Sequence, residues 1–232
     1  MRSELVIGHR GAPSIKVENS LESIVEALRL GVDGVEVDVR ATKDGSLVAF
    51  HDKSLSRVLG VDKLVSEVEL NELRGLGQTR GFTVPTIEGV VEVVAGKALL
   101  VLDVKEWRAV KGLIELLRGA RGGEVVVSSF DHRIPLMVKR EVSFVEAGII
   151  LSARPLSLSR LLHEEVGHLF LKRDYVDLEL LKEARDLGVS VHVWVVNDEE
   201  EAERFWSMGA RGVVTDVPQR LVSRRRGHGP RA

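Results

Sequence analysis

Residues 34–52 read GVEVDVRATKDGSLVAFHD. Val35, Val37 and Val39 alternate with Glu36, Asp38 and Arg40, and a period of two marks a strand whose successive side chains point to opposite faces. Glu36 and Asp38 therefore share a face, roughly 6.5–7 Å apart along the strand, within reach of one hard cation. Lys43-Asp44-Gly45 turns the chain, and Ser46 to Phe50 returns as a second strand ending in His51-Asp52. The connection is too short for a parallel crossover, so the pair is an antiparallel hairpin that folds His51 back towards the carboxylate end. Taken alone, the stretch fits a surface hairpin with solvated acids equally well. Its setting in the chain decides between the two.

Upstream, Leu5 to Gly8 is a short apolar strand that delivers His9-Arg10-Gly11. Asn19 is placed to cap the next helix with Glu22 as its capping-box partner. Leu21, Ile24, Val25 and Leu28 form that helix's apolar stripe, and Gly31 stops it. Downstream, residues 53–86 fit no simple strand–helix unit; Glu67 to Leu76 reads as helix and the remainder as loop. Pro85-Thr86-Ile87-Glu88 opens a helix through Val94. Ala98 to Leu102 is a nearly continuous apolar run, as buried parallel strands show, and it ends in Asp103-Val104-Lys105.

Beyond it the alternation is regular. Helices are expected at 108–118, 132–140, 156–164, 177–187, 198–207 and from Pro218. Strands are expected at 124–128, 145–150, 166–171, 189–195 and 212–215. Without the antiparallel return of the hairpin, eight parallel-type strands alternate with helices. That count predicts an α/β fold, a (β/α)8 TIM barrel with a small insertion after the second strand. The expected organisation is a single domain over 1–223, with the insertion at about 41–86 and a disordered basic tail at 224–232. A doubly wound open sheet would carry a Gly-rich dinucleotide loop, and the sequence has no G-x-G-x-x-G.

The 232 residues are 44% hydrophobic, enough for one sizeable core. A net charge of −2 argues against a nucleic-acid-binding surface. The absence of cysteine excludes disulfides, zinc–thiolate sites and thiol nucleophiles. No secretory segment or membrane-length apolar run is present, so a cytoplasmic protein without stable membrane insertion is expected. Abundant charge and scarce Asn and Gln match heat-adapted proteins, although a GC-rich genome gives the same bias.

In a barrel of this type, chemistry sits at the C-terminal ends of the strands. The polar residues there are His9, Arg10, Glu36, Asp38, Asp103, Lys105, Ser128, Ser129 and Trp194, with His51 added by the hairpin. Glu36, Asp38 and Asp103 make an all-oxygen cation site that suits Mg2+ or Ca2+ better than zinc. Arg10 and Lys105 suit a phosphate, and His9 and His51 can divide general acid and base work. Trp194 at its strand end is placed to stack on substrate.

With these residues in view, the sequence resembles the glycerophosphodiester phosphodiesterase family. The resemblance rests on His9-Arg10-Gly11, Glu18-Asn19-Ser20, Glu36-Val37-Asp38, and Thr42-Lys43-Asp44-Gly45 running to His51-Asp52. Pro85-Thr86, Lys105, Ser129-Phe130, Trp194 and Thr215-Asp216 continue it over nearly the whole chain. One position departs: the family's Glu-x-Lys is Asp103-Val104-Lys105 here. The resemblance implies a metal-dependent hydrolase that converts a small-molecule glycerophosphodiester to glycerol phosphate and an alcohol. It also implies that Glu18 orients the site. Two alternatives stand beside it: a phospholipase D-like or lyase-type enzyme that forms a cyclic phosphate from lysolipids, and a non-catalytic barrel that binds phosphorylated ligands. His132, His163, His168 and His228 match no motif and are expected at the surface or at caps. His192 shares strand parity with Trp194 and is expected in the barrel interior. Thr215-Asp216 reads as a helix-start device.

Overall fold

The structure is a computed structural model that describes residues 4–120 and 123–227. The chain runs β1 (Leu5–His9), α1 (Leu21–Leu30), β2 (Gly34–Ala41), β3 (Leu47–Ala49), α2 (Ser56–Leu59), α3 (Leu70–Thr79), α4 (Ile87–Val94) and β4 (Leu99–Val104). It continues α5 (Val110–Gly119), β5 (Val125–Ser129), α6 (Arg133–Glu141), β6 (Glu146–Leu151), α7 (Leu158–Leu161) and β7 (Val166–Lys172). It closes with α8 (Leu178–Asp186), β8 (Ser190–Trp194), α9 (Glu199–Met208), β9 (Gly212–Thr215) and α10 (Pro218–Gly227).

Eight strands pair in parallel, and β1 joins both β2 and β9, so the sheet closes into the expected (β/α)8 barrel. β3 is the antiparallel addition, set against β2 in the register Val39↔Ala49 and Ala41↔Leu47. Strand parity then sorts the residues. Val35, Val37 and Val39 face outwards into the helix-covered core, while Glu36, Asp38 and Arg40 share the opposite face. Inside the barrel, Ile7, Leu99, Val101, Val126, Ile150, Phe170 and Val214 form an apolar plug beneath Trp194. A packed interior of this kind confines chemistry to the mouth.

Two glycines make room for aromatic rings in that interior. A Cβ on Gly148 would stand 2.9 Å from the Phe170 ring, and one on Gly212 would stand 2.9 Å from His192 Nδ1. His192 stacks on Phe170 at 4.9 Å and on His168 at 5.2 Å between centroids, with His168 Nδ1 3.0 Å from His192 Nε2. His192 is interior as expected. His168 corrects the expectation of a surface residue: it is partly buried beside its partner. The run Val166–Phe170 lacks the alternation that would have shown which way it points.

The segment between β2 and α4 has more order than its sequence promised. Alongside α2, α3 and a short 3-10 turn at Val65–Glu67, it packs a core of its own from Phe50, Leu55, Leu59, Leu73, Phe82 and their neighbours. Glu22, expected to complete a capping box, instead accepts from the Thr83 N–H and hydroxyl and ties this segment to α1. Ser20, not Asn19, caps α1, accepting from the Ser23 N–H.

The last helix, α10, runs to Gly227, past the start expected for a disordered tail, and Arg224 donates to Glu203 of α9. The rest of that tail, 228–232, lies outside the described residues. Among the described residues, no helix is long and apolar enough to cross a membrane.

Candidate active site

Two strand neighbours set the acidic cluster. Asp38 of β2 and Asp103 of β4 are register partners, and Glu36 stands one strand repeat below Asp38. All three are buried, and one carboxylate oxygen from each lies within 4.8 Å of the others. Burial and the neighbouring Asp38 charge push Glu36 up to about 7, and burial pushes Asp103 up to about 6. Burial would raise Asp38 too, but Lys105 and Arg10 outweigh it and hold that carboxylate low. Lys105 Nζ pairs with Asp38 Oδ1 at 2.7 Å and with Asp103 Oδ2. Asp103 Oδ1 is buried without a hydrogen-bond partner. Three carboxylates, all oxygen, one with an unused buried acceptor, suit a hard cation.

Asn19, expected only as a helix cap, braces this cluster. In a left-handed backbone conformation (φ 57°), its side chain donates to Asp38 Oδ2 at 2.7 Å and accepts from the Asp38 N–H at 3.1 Å. Arg10 is also left-handed (φ 57°), which turns its N–H onto Glu36 Oε2 at 2.9 Å. Its Nη1 donates to Glu18 at 2.9 Å, and its Nε lies 3.0 Å from Asp38 Oδ2, off the hydrogen-bond direction.

Each histidine of the mouth has a carboxylate on Nδ1. His9 Nδ1 lies 2.7 Å from Asp216 Oδ1, and His51 Nδ1 lies 2.6 Å from Asp52 Oδ1. An ionised carboxylate only accepts, so Nδ1 carries the proton and Nε2 is the free nitrogen. His9 Nε2 faces Glu36 Oε2 at 4.0 Å. Burial opposes protonation of His9, but the Asp216 bond and Glu36 outweigh it and raise its pKa; burial lowers that of His51. Asp216 is itself fixed by Asn197, which donates to Asp216 Oδ2 at 2.9 Å and accepts from its N–H at 2.8 Å. The Thr215-Asp216 reading thus needs correction. Thr215 does serve the helix start, accepting from the Val217 N–H, but Asp216 orients His9. Arg40 donates from Nε to the His51 carbonyl at 2.8 Å, fixing the end of the hairpin.

A cavity of about 340 Å³ opens onto His9, Arg10, Glu36, His51, Asp103 and Lys105, and its other wall is Ser128, Phe130, Ile150, Phe170, Trp194 and Val214. Trp194 meets Phe130 edge to face at 5.9 Å. Every expected site residue except Glu18 and Asp38 lines this space; both of those touch Arg10 from outside it. Ser129 donates to the Val104 carbonyl, and Ser128 Oγ has no partner, so neither has a histidine to activate it.

Residues 9–220 match the model of the Glycerophosphoryl diester phosphodiesterase family. A glycerophosphodiester phosphodiesterase of Caldanaerobacter subterraneus subsp. tengcongensis is 29% identical, over 94% of this chain and 96% of its own. Among solved structures, an Oleispira antarctica phosphodiesterase in complex with the product sn-glycerol-3-phosphate superposes with a TM-score of 0.88 at 27% identity, covering 95% of this chain and 96% of that one. A glycerophosphodiester phosphodiesterase from Thermotoga maritima superposes at 0.83 with 28% identity, covering 97% of this chain and 100% of its own.

Proposed function

The chain belongs to the glycerophosphoryl diester phosphodiesterase family, and from that premise we propose that it is a metal-dependent, cytoplasmic hydrolase of small glycerophosphodiesters, with His9 and His51 as its proton-transfer groups. One observation carries the reading: a single cavity of about 340 Å³ collects Glu36 and Asp103 of the acidic cluster, two carboxylate-oriented histidines, and Arg10 with Lys105. That volume suits a small ligand.

Glu36, Asp38 and Asp103 would hold a divalent cation, Mg2+ or Ca2+, which when bound supplies Lewis-acid stabilisation to phosphate oxygens and lowers the pKa of a coordinated hydroxyl. Arg10 and Lys105 stand beside the cluster and bind the phosphate, offsetting charge that grows as the diester is attacked. His9 and His51 present Nε2 and exchange protons with the attacking and leaving oxygens. Trp194 and Phe130 give the substrate's carbon skeleton an apolar wall. With no activated serine in the cavity, the attacking oxygen comes from a neighbouring substrate hydroxyl or from water. A neighbouring hydroxyl would give a cyclic phosphate that water then opens. Glu18 holds Arg10 in place.

The test is a panel of glycerophosphodiesters offered to protein stripped with chelator and then reloaded with Mg2+ or Ca2+. The reading expects alcohol release only after reloading. Release of no alcohol from any member by the reloaded protein would sink it.

A further inference from the structure

Arg57 stands outside the cavity, on the single turn α2 of the inserted segment. Leu55 and Leu59 flank it and are buried in that segment's own core, so the backbone beneath Arg57 is anchored. Its guanidinium meets two carboxylates at once. Nη1 and Nη2 donate to Glu18 at 2.9 and 2.6 Å, and Nε donates to Asp52 Oδ2 at 2.6 Å. Each carboxylate then reaches the site with its own next bond. Glu18 Oε1 also accepts from Arg10 Nη1, and Asp52 Oδ1 takes the Nδ1–H of His51.

We propose that Arg57 is a positioning residue that sets the His51 ring through Asp52 and the Arg10 guanidinium through Glu18. The proposal rests on the phosphodiesterase reading above. A lone exposed ion pair contributes little and positions little. Arg57 differs in geometry: a planar fork fills both oxygens of Glu18 and one of Asp52, which removes the rotational freedom of both acids. Among the described residues no other side chain holds the second oxygen of Asp52, and Arg40 fixes only the backbone carbonyl of His51, not its ring. The phosphate-binding cation and one proton carrier are therefore tied to one rigid turn. This gives α2 a role in the reaction that its position outside the cavity conceals.

Steady-state kinetics on metal-loaded variants test it. Arg57→Ala should lower kcat by roughly tenfold to a hundredfold, the range for a lost outer partner, and raise KM several-fold. Asp52→Asn should reproduce the kcat part and Glu18→Gln the KM part. The Arg57→Ala/Asp52→Asn double variant should cost no more in kcat than the worse single, because both break one chain of contacts. Arg57→Lys should recover one arm at most, since a point-charge ammonium cannot fork across two carboxylates. A merely structural role would shift Tm and leave kcat and KM at wild-type values, and that result would overturn the proposal. A second readout needs no turnover. In 15N-resolved NMR, the His51 Nδ1–H signal should be protected in the wild type and exchange-broadened in Arg57→Ala; an unchanged signal would overturn the proposal even if the wild type cleaved no glycerophosphodiester.

Discussion

Replacing Asp103 by alanine removes one of three carboxylates that face each other within 4.8 Å. The position matters because an aspartate stands where the family pattern has the longer glutamate, a reach shorter by roughly 1.3 Å, a little less than one C–C bond. Metal–oxygen distances of about 2.0–2.6 Å tolerate little of that shortfall. The structure favours direct ligation all the same. Asp103 is the register partner of Asp38, and its Oδ1 is buried with no hydrogen bond of its own. With all three carboxylates ionised, as a bound cation requires, Arg10 and Lys105 leave the cluster one negative charge in excess, and the alanine variant cancels it. Losing a direct ligand and that charge together should weaken Mg2+ or Ca2+ binding by more than a hundredfold, about 2.7 kcal/mol or more, and match the effect of Glu36→Ala. If a water bridged Asp103 to the metal, the loss would be roughly 10- to 100-fold and Asp103→Glu would tighten binding. Direct ligation predicts no gain from Asp103→Glu, whose longer arm crowds a site built to the aspartate's reach. Calorimetric titration of the three stripped variants, with circular dichroism to confirm folding, separates these outcomes. Asp103→Ala with metal affinity within about threefold of wild type would remove Asp103 from the site.

His9→Ala and His51→Ala should each lower kcat by roughly 10²–10⁴ with little change in Tm, since both sit at the mouth and not in the packed plug; near-wild-type kcat in either would strip that residue of its role. Asp216→Asn, whose amide NH2 must face either His9 Nδ1 or Asn197 Nδ2 where a carboxylate oxygen now accepts, should cost roughly 10- to 100-fold in kcat, read in the same assay. Metal affinity should fall with pH, because the cation binds the ionised carboxylates: with Glu36 at about 7 and Asp103 at about 6, the loss is about tenfold from pH 7 to 6 and about fiftyfold from 6 to 5, measurable by calorimetry. At the barrel floor, burial depresses His168 to about 4, so the folded state binds its proton more weakly than the unfolded chain does near 6.5. Its contribution is present above pH 6.5 and lost as pH falls towards 4. Denaturant titrations at pH 7 and pH 5 should show His168→Gln losing about 2 kcal/mol less than wild type over that interval.

The barrel and the acidic cluster were legible because both rest on local pattern. Alternation in Val35–Arg40 assigns Glu36 and Asp38 to one face, and a connection too short for a parallel crossover forces the hairpin that returns His51. The partners of the histidines were less so. Asp216 reaches His9 across 207 residues of sequence, and only barrel closure between β1 and β9 brings them together. Asn19 looked like a cap because Asn caps helices; its bond to Asp38 depends on a left-handed turn that the sequence does not announce. His168 was misplaced because it lies in a strand without alternation, and the glycines that open space for the rings, Gly148 and Gly212, lie on other strands.

We propose that the mouth of this barrel cleaves a phosphodiester with a cation held by Glu36, Asp38 and Asp103. Phosphorus NMR of a glycerophosphodiester incubated with stripped, reloaded and re-stripped protein tests it most directly. Conversion to glycerol phosphate is expected in the reloaded sample alone, with any cyclic phosphate passing through as an intermediate. A substrate signal unchanged in all three samples, or a cyclic phosphate that accumulates as the end product, would contradict it.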